Sequence, residues 1–250
     1  MFTAVPKAHL PFRMGLLECL FGILLLIASV GLSTGPALAA SIVLDPGHGG
    51  NDDGAGRGGP FAEKRFTLSL ARMVAAELSA KHRVELTRSA DIELTPSDRA
   101  GLANHLRADL MVSLHGAVAP YCSDRSATVY YHDDERLVMA PVRTDQRTKT
   151  EPNGDRPVWE TLQIRHQGKS RSIAEIIRSS LAGSASFDSV VVFSAPLAPL
   201  MGADLPAVLI EVGCFYPSAP LTEDQFEQAV NTYAKPIAMA IEAAISGTAP

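Results

Sequence analysis

Ser41-Ile42-Val43-Leu44-Asp45-Pro46-Gly47-His48-Gly49-Gly50 begins as a short apolar run and breaks into proline and glycine where it presents a histidine. That is the sequence form of a β-strand ending in a tight turn, with an imidazole at the sheet's edge. α/β proteins keep their ligands at that edge. Asp52-Asp53-Gly54-Ala55 and then Glu63 follow closely.

Two further segments repeat the setting. Asp109-Leu110-Met111-Val112-Ser113-Leu114 runs directly into His115-Gly116, and Ala207-Val208-Leu209-Ile210 ends in Glu211 before Val212-Gly213. In a mostly parallel sheet the carboxyl ends of the strands share one edge. His48, His115 and Glu211 therefore converge there, although 67 and 96 residues separate them along the chain. Glu63 adds a fourth group. Imidazoles with a carboxylate and a position left to water are zinc chemistry. Three of the four bind the ion, and the fourth is a general base toward a water whose pKa the metal lowers to roughly 7. Spacing alone leaves the roles of the two glutamates open. Packing is a poor rival explanation, because charged side chains are almost never buried without partners.

Periodicity supplies the frame. Lys64 to Lys81 places Phe66, Leu70, Met73, Val74 and Leu78 on one helical face, between strands at Ser41 to Leu44 and Val84 to Thr87. Thr95-Pro96-Ser97-Asp98 reads as a capped helix start leading to the His115 strand. Further strands are expected at Thr128 to Tyr131 and Val190 to Phe193. Helices are expected over Ser172 to Leu181 and Glu223 to Ile245, the last with a kink at Pro236. The alternation predicts a single α/β domain, a mostly parallel central sheet flanked by helices on both faces.

Asp45 to Gly50, Asp53-Gly54-Ala55, Glu63, Leu86-Thr87-Arg88, Arg99, Ala108-Asp109, Ser113-Leu114-His115 and Pro206 to Gly213 resemble, in order and approximate spacing, the zinc-dependent N-acetylmuramoyl-L-alanine amidases. The resemblance runs from about Ser41 to about Ser246. It implies that His48, Glu63 and His115 bind one zinc ion and that Glu211 is the catalytic carboxylate. The implied reaction is hydrolysis of the amide between the lactyl group of N-acetylmuramic acid and the first L-alanine of the peptidoglycan stem peptide. The chain departs from the family's common pattern in reading His115-Gly116-Ala117 where His-x-Asn is frequent, and Glu211-Val212-Gly213-Cys214-Phe215 where Gly-Phe often follows Glu-x. These departures bear on glycan and peptide recognition and leave the four groups in place. Two other functions use the same residues: a non-catalytic or regulatory peptidoglycan-binding domain, and a zinc peptidase cutting another wall amide.

Lys7 and Arg13 precede an apolar run from Cys19 to Leu32, and Ala37-Leu38-Ala39 forms a small-x-small cleavage pattern. At about 14 residues the run is shorter than the roughly 20 needed to span a bilayer. Residues 1–39 therefore read as a signal peptide ahead of a catalytic domain at 40–250, with export to the periplasm or outside the cell and no stable membrane span after processing. An uncleaved signal anchor is the rival reading. The whole chain carries a formal charge of −5 over 250 residues, and without the leader it has 20 basic and 26 acidic ones. This balance speaks against a nucleic-acid partner.

Cys122 and Cys214 lie within seven residues of His115 and Glu211, so a disulfide and an unpaired loop thiol are competing expectations. Asp133 to Gly168 is polar and long for a connection, and such loops are functional or disordered. In some members of the resembled family the comparable segment blocks the zinc until an activator protein displaces it. Pro157 to Arg165 is thus a candidate lid, with Trp159 either stacking on a sugar or pinning the loop to the core. Asp45 and Asp53 are candidate acceptors for His48, with turn capping favoured for Asp53. Arg88 and Arg99 are candidates to hold a stem-peptide carboxylate, against solvated structural roles. His82, His105, His132 and His166 read as surface residues.

Overall fold

The computed structural model describes residues 39–56, 62–118, 122–133, 159–215 and 222–247. Six strands form one sheet: β1 (Ser41–Pro46), β2 (Arg83–Leu86), β3 (Leu110–Val118), β4 (Ser126–His132), β5 (Ser189–Ala195) and β6 (Ala207–Phe215). Their order is β2-β1-β3-β6-β4-β5. The first four are mutually parallel, and β4 and β5 form a parallel pair that joins β6 antiparallel. The chain leaves β1 toward β2 on one side and returns to β3 on the other, which makes the β1–β3 boundary the topological switch point, the place where open α/β sheets bind ligands.

Four α-helices pack on this sheet: α1 (Glu63–Leu78), α2 (Pro96–Leu106), α3 (Gln167–Ala182) and α4 (Glu223–Ser246). Alternate residues of each strand face opposite sides. Ile42, Leu44, Val112, Leu114, Ile210 and Val212 meet α1, α3 and α4 through Phe66, Leu70, Val74, Ile177, Ile237 and Ile241. Val43, Met111 and Leu209 face the other way, onto Ala100 and Ala103 of α2 and onto Leu200 and Leu205. Each fully buried large aliphatic side chain contributes about 1.5–3 kcal/mol, so the three-helix face carries most of the apolar stabilisation.

The helix starts follow their sequence signals. Thr95 accepts from the Asp98 N–H while Asp98 accepts from the Thr95 N–H, closing a capping box with Pro96 in the first turn. Thr222 and Gln225 do the same for α4. Pro236 lies inside α4, which continues as one helix to Ser246. The strands at 84–87, 128–131 and 190–193 appear within a residue or two of the expected positions, and α3 begins five residues before Ser172. Among the described residues no helix is long and apolar enough to cross a membrane.

The antiparallel joining of β4 to β6 brings the start of β4 to the end of β6, with Ala127 opposite Val212. Cys122 and Cys214 meet there and are disulfide-bonded across 92 residues of sequence, which decides between the two expectations for these thiols. Of the candidate lid, residues 134–158 lie outside the described residues. Trp159–His166 is a 3-10 helix, and Trp159 packs on the α2-side core beside Leu197, against the Gly202 backbone. Its contact with the core is the pinning one.

Candidate metal centre

His48 leaves the end of β1 in the left-handed conformation, at φ 60°, unusual for a residue with a Cβ. The turn directs its Nε2 to Glu63 Oε1 at 3.0 Å, and Asp52 Oδ2 holds Nδ1 at 2.8 Å. Glu63 is the first residue of α1, where the helix N-terminus favours a carboxylate. His115 lies on β3, and its Nδ1 is 3.1 Å from the same Glu63 oxygen. The two imidazoles cross edge to face, 4.9 Å between centroids.

The carboxylate between them is fully engaged. Glu63 Oε1 also accepts from the Gly116 N–H at 2.9 Å, and Oε2 from the Ala55 N–H at 2.9 Å. Burial pushes its carboxyl up, but the His115 and His48 imidazoles outweigh that and hold it far below the usual carboxylate range. Burial pulls the His48 imidazole down, and its bonds to Glu63 and Asp52 leave it above its ordinary value. Two glycines make room for the cluster. A Cβ on Gly47 would collide with the His115 ring, and one on Gly54 would lie 2.7 Å from both Glu63 Oε2 and His48 Cδ2.

One donor atom from each of His48, Glu63 and His115 lies within 4.8 Å of the other two. Contacts near 3 Å suit a shared tetrahedral cation, whose donors at bonds of about 2.0–2.2 Å stand roughly 3.3 Å apart. Two imidazoles and one carboxylate also match the usual donor set of hydrolytic zinc. The residues present therefore fit such an ion.

Glu211 stands beside this cluster, paired with His115 in the β3–β6 ladder. It is half-buried, and the Tyr130 hydroxyl of β4 donates to its Oε2 at 3.2 Å. Burial pushes the Glu211 carboxyl above its ordinary value, opposed by the Tyr130 bond. Burial likewise pushes the Tyr130 phenol up to about 12, so it remains a donor.

Several sequence expectations need correction. Asp45 does not orient His48: it is fully buried and accepts from Thr87 Oγ1 at 2.6 Å, Arg99 Nη1 at 2.8 Å and Ser113 Oγ at 2.8 Å. The acceptor is Asp52, 2.8 Å away across the turn. Asp53 pairs with Lys64 Nζ at 3.0 Å and ties the turn to α1. Arg88 and Arg99 are buried against backbone carbonyls, not presented to a substrate. His82 and His132 are buried as well: His82 bonds Glu242 at 2.6 Å, and His132 accepts from the Leu197 N–H at 3.0 Å. His105 is exposed and His166 half-buried beside Asp204. Tyr130 carried no sequence signal, since its role depends on which strand lies beside β6.

The profile of the family described as N-acetylmuramoyl-L-alanine amidase matches residues 42–245. The N-acetylmuramoyl-L-alanine amidase AmiC of Neisseria meningitidis serogroup B is 27% identical over 183 residues, 68% of this chain and 44% of that protein. The probable cell wall amidase LytH of Staphylococcus epidermidis is 33% identical over 116 residues, 45% of this chain and 38% of LytH. The chain thus spans less than half the length of these relatives. Among solved structures, the catalytic domain of CwlV, an N-acetylmuramoyl-L-alanine amidase from Bacillus (Paenibacillus) polymyxa var. colistinus, superposes with a TM-score of 0.59 at 24% identity. That match covers 83% of this chain and 98% of the domain, a likeness of fold.

Proposed function

The chain belongs to the N-acetylmuramoyl-L-alanine amidase family, and from that premise we propose that it is a zinc-dependent hydrolase of the amide joining N-acetylmuramic acid to L-alanine in peptidoglycan. The observation that carries the reading is the convergence of His48, Glu63 and His115 on one point, with Glu211 next to His115. His48, Glu63 and His115 are the proposed ligands of one zinc ion. Bound there, zinc supplies Lewis acidity toward the scissile carbonyl and the attacking water.

The chain's own residues do the rest. Glu211 takes the proton from the attacking water and delivers it to the leaving amine of L-alanine, so no covalent intermediate is needed. Its raised carboxyl pKa suits a group that must both accept and return a proton near neutral pH. Tyr130 holds Glu211 Oε2 and leaves the other oxygen for the proton. Asp52 holds His48 Nδ1, which fixes Nε2 as the ligating atom.

The envelope is the matching compartment. We propose that residues 1–39 are a signal peptide, that the domain 40–250 acts in the periplasm or outside the cell, and that an activator protein acts on it. The paired cysteines support an oxidising location. The test is solubilisation of labelled peptidoglycan by the chain with zinc, after chelation, and for Glu211→Gln. The reading requires activity in the first condition and its loss in the other two, with zinc still bound by Glu211→Gln. A pure binding domain solubilises nothing in any condition.

A further inference from the structure

Behind the three donors lie two guanidiniums that the chemistry proposed above leaves unused. Arg88 is 2% exposed and Arg99 6%. Arg99 pairs with the Asp45 carboxylate at 2.8 Å and donates to the Pro46 and His48 carbonyls at 2.7 and 2.8 Å. Arg88 donates to neutral oxygens throughout: the carbonyls of Pro46, Gly47, Lys64 and Ala90 and the Thr67 hydroxyl. The Asp91 and Asp45 carboxylates act on it only from beyond hydrogen-bond reach, and a buried cation without a bonded carboxylate is costly unless its donors are fully used. Its placement therefore calls for a reason beyond packing.

The reason lies in which carbonyls it holds. Arg88 Nη2 is 2.8 Å from Gly47 O and 2.8 Å from Lys64 O, the oxygens of the residues adjoining His48 and Glu63. Thr67, one turn along α1 from Glu63, donates to the same Gly47 O at 2.8 Å. The left-handed backbone at His48 turns the carbonyls of 46–48 inward, where they would be orphaned without these donors. We propose that Arg88 is a positioning residue of the metal centre, its guanidinium fixing the spacing of the His48 and Glu63 segments before a metal arrives. The inference rests on the metal-centre reading. A lysine cannot replace the clamp, because its ammonium is a compact point charge without the planar fork that reaches both segments.

The test compares Arg88→Lys and Thr67→Val with a core control, Ile241→Ala, a buried residue of α4 in the apolar cluster beneath the sheet. Zinc affinity of the full chain is measured by competition with a chromophoric chelator, and thermal midpoints are measured on the metal-free chain. Arg88→Lys should weaken zinc binding about 10–100-fold, the usual effect of losing a partner behind a ligand. Thr67→Val, which removes the hydroxyl's bond to Gly47 O and the bond it accepts from Arg88 but no charge, should weaken it roughly fivefold. Ile241→Ala should lower the midpoint and leave zinc affinity unchanged. Wild-type zinc affinity in folded Arg88→Lys and Thr67→Val overturns the proposal, and Thr67→Val decides alone if Arg88→Lys does not fold. A wild-type chain that binds no zinc, or a His48→Ala chain that binds as tightly as wild type, overturns the metal centre itself.

Discussion

His115 and Glu211 are partners in the parallel β3–β6 ladder, so the proposed zinc ligand and the proposed base are held by backbone pairing of two central strands. Neither strand can slip by one residue without turning its whole apolar set to the wrong face. The relative placement of the two groups is therefore as firm as the core beneath them.

Tyr130→Phe should lower kcat several-fold with little change in KM. The Tyr130 bond opposes the upward pull of burial on Glu211, so its loss raises the carboxyl pKa further. The acid limb of the pH–rate profile then moves to higher pH. An unmoved limb would show that the hydroxyl does not act through Glu211.

Gly47→Ala should abolish tight zinc binding while leaving the circular dichroism of the chain intact, because the added Cβ displaces the His115 ring and not the core. Zinc content after dialysis measures it.

The Glu242 carboxyl is pushed up by burial but more strongly pulled below its ordinary value by His82 and Lys81. A depressed carboxyl contributes stability that is present above its unfolded value, 4.5, and is lost as pH falls through the folded one. Denaturation midpoints should fall as pH drops below about 4.5, and Glu242→Gln should lose part of that dependence. Identical pH curves for the two chains would contradict it.

Cys214→Ser removes a cross-link spanning 92 residues and should cost about 4 kcal/mol. Unfolding in denaturant with and without reductant checks it: the wild type should shift toward the variant on reduction, and the variant should not move.

Much of this was legible in the sequence because strand endings are locally encoded. The apolar run into Asp45-Pro46-Gly47-His48, its counterpart at His115 and the third at Glu211 each announce a strand and the group at its end, and parallel pairing supplies the convergence. The capping boxes at Thr95 and Thr222 are equally local. What was not legible depends on neighbours in space. Tyr130 reaches Glu211 because β4 adds antiparallel to β6. His82 is buried because Glu242 of α4 arrives over it. Arg88 and Arg99 look like surface cations by composition, and they are buried because the turn after β1 leaves inward carbonyls for them. Asp52 and Asp53 are adjacent and chemically identical, so only the backbone course of the turn decides which one meets His48.

The central claim is tested most directly by identifying, by mass, the products that the zinc-loaded chain releases from purified peptidoglycan. The account predicts free stem peptides beginning with L-alanine and glycan strands with intact lactyl-muramic acid, absent after chelation and with Glu211→Gln. Fragments cut within the stem peptide would make the chain a peptidase of another wall amide, and no fragments from the zinc-loaded chain, either intact or with residues 134–158 removed, would contradict catalysis altogether.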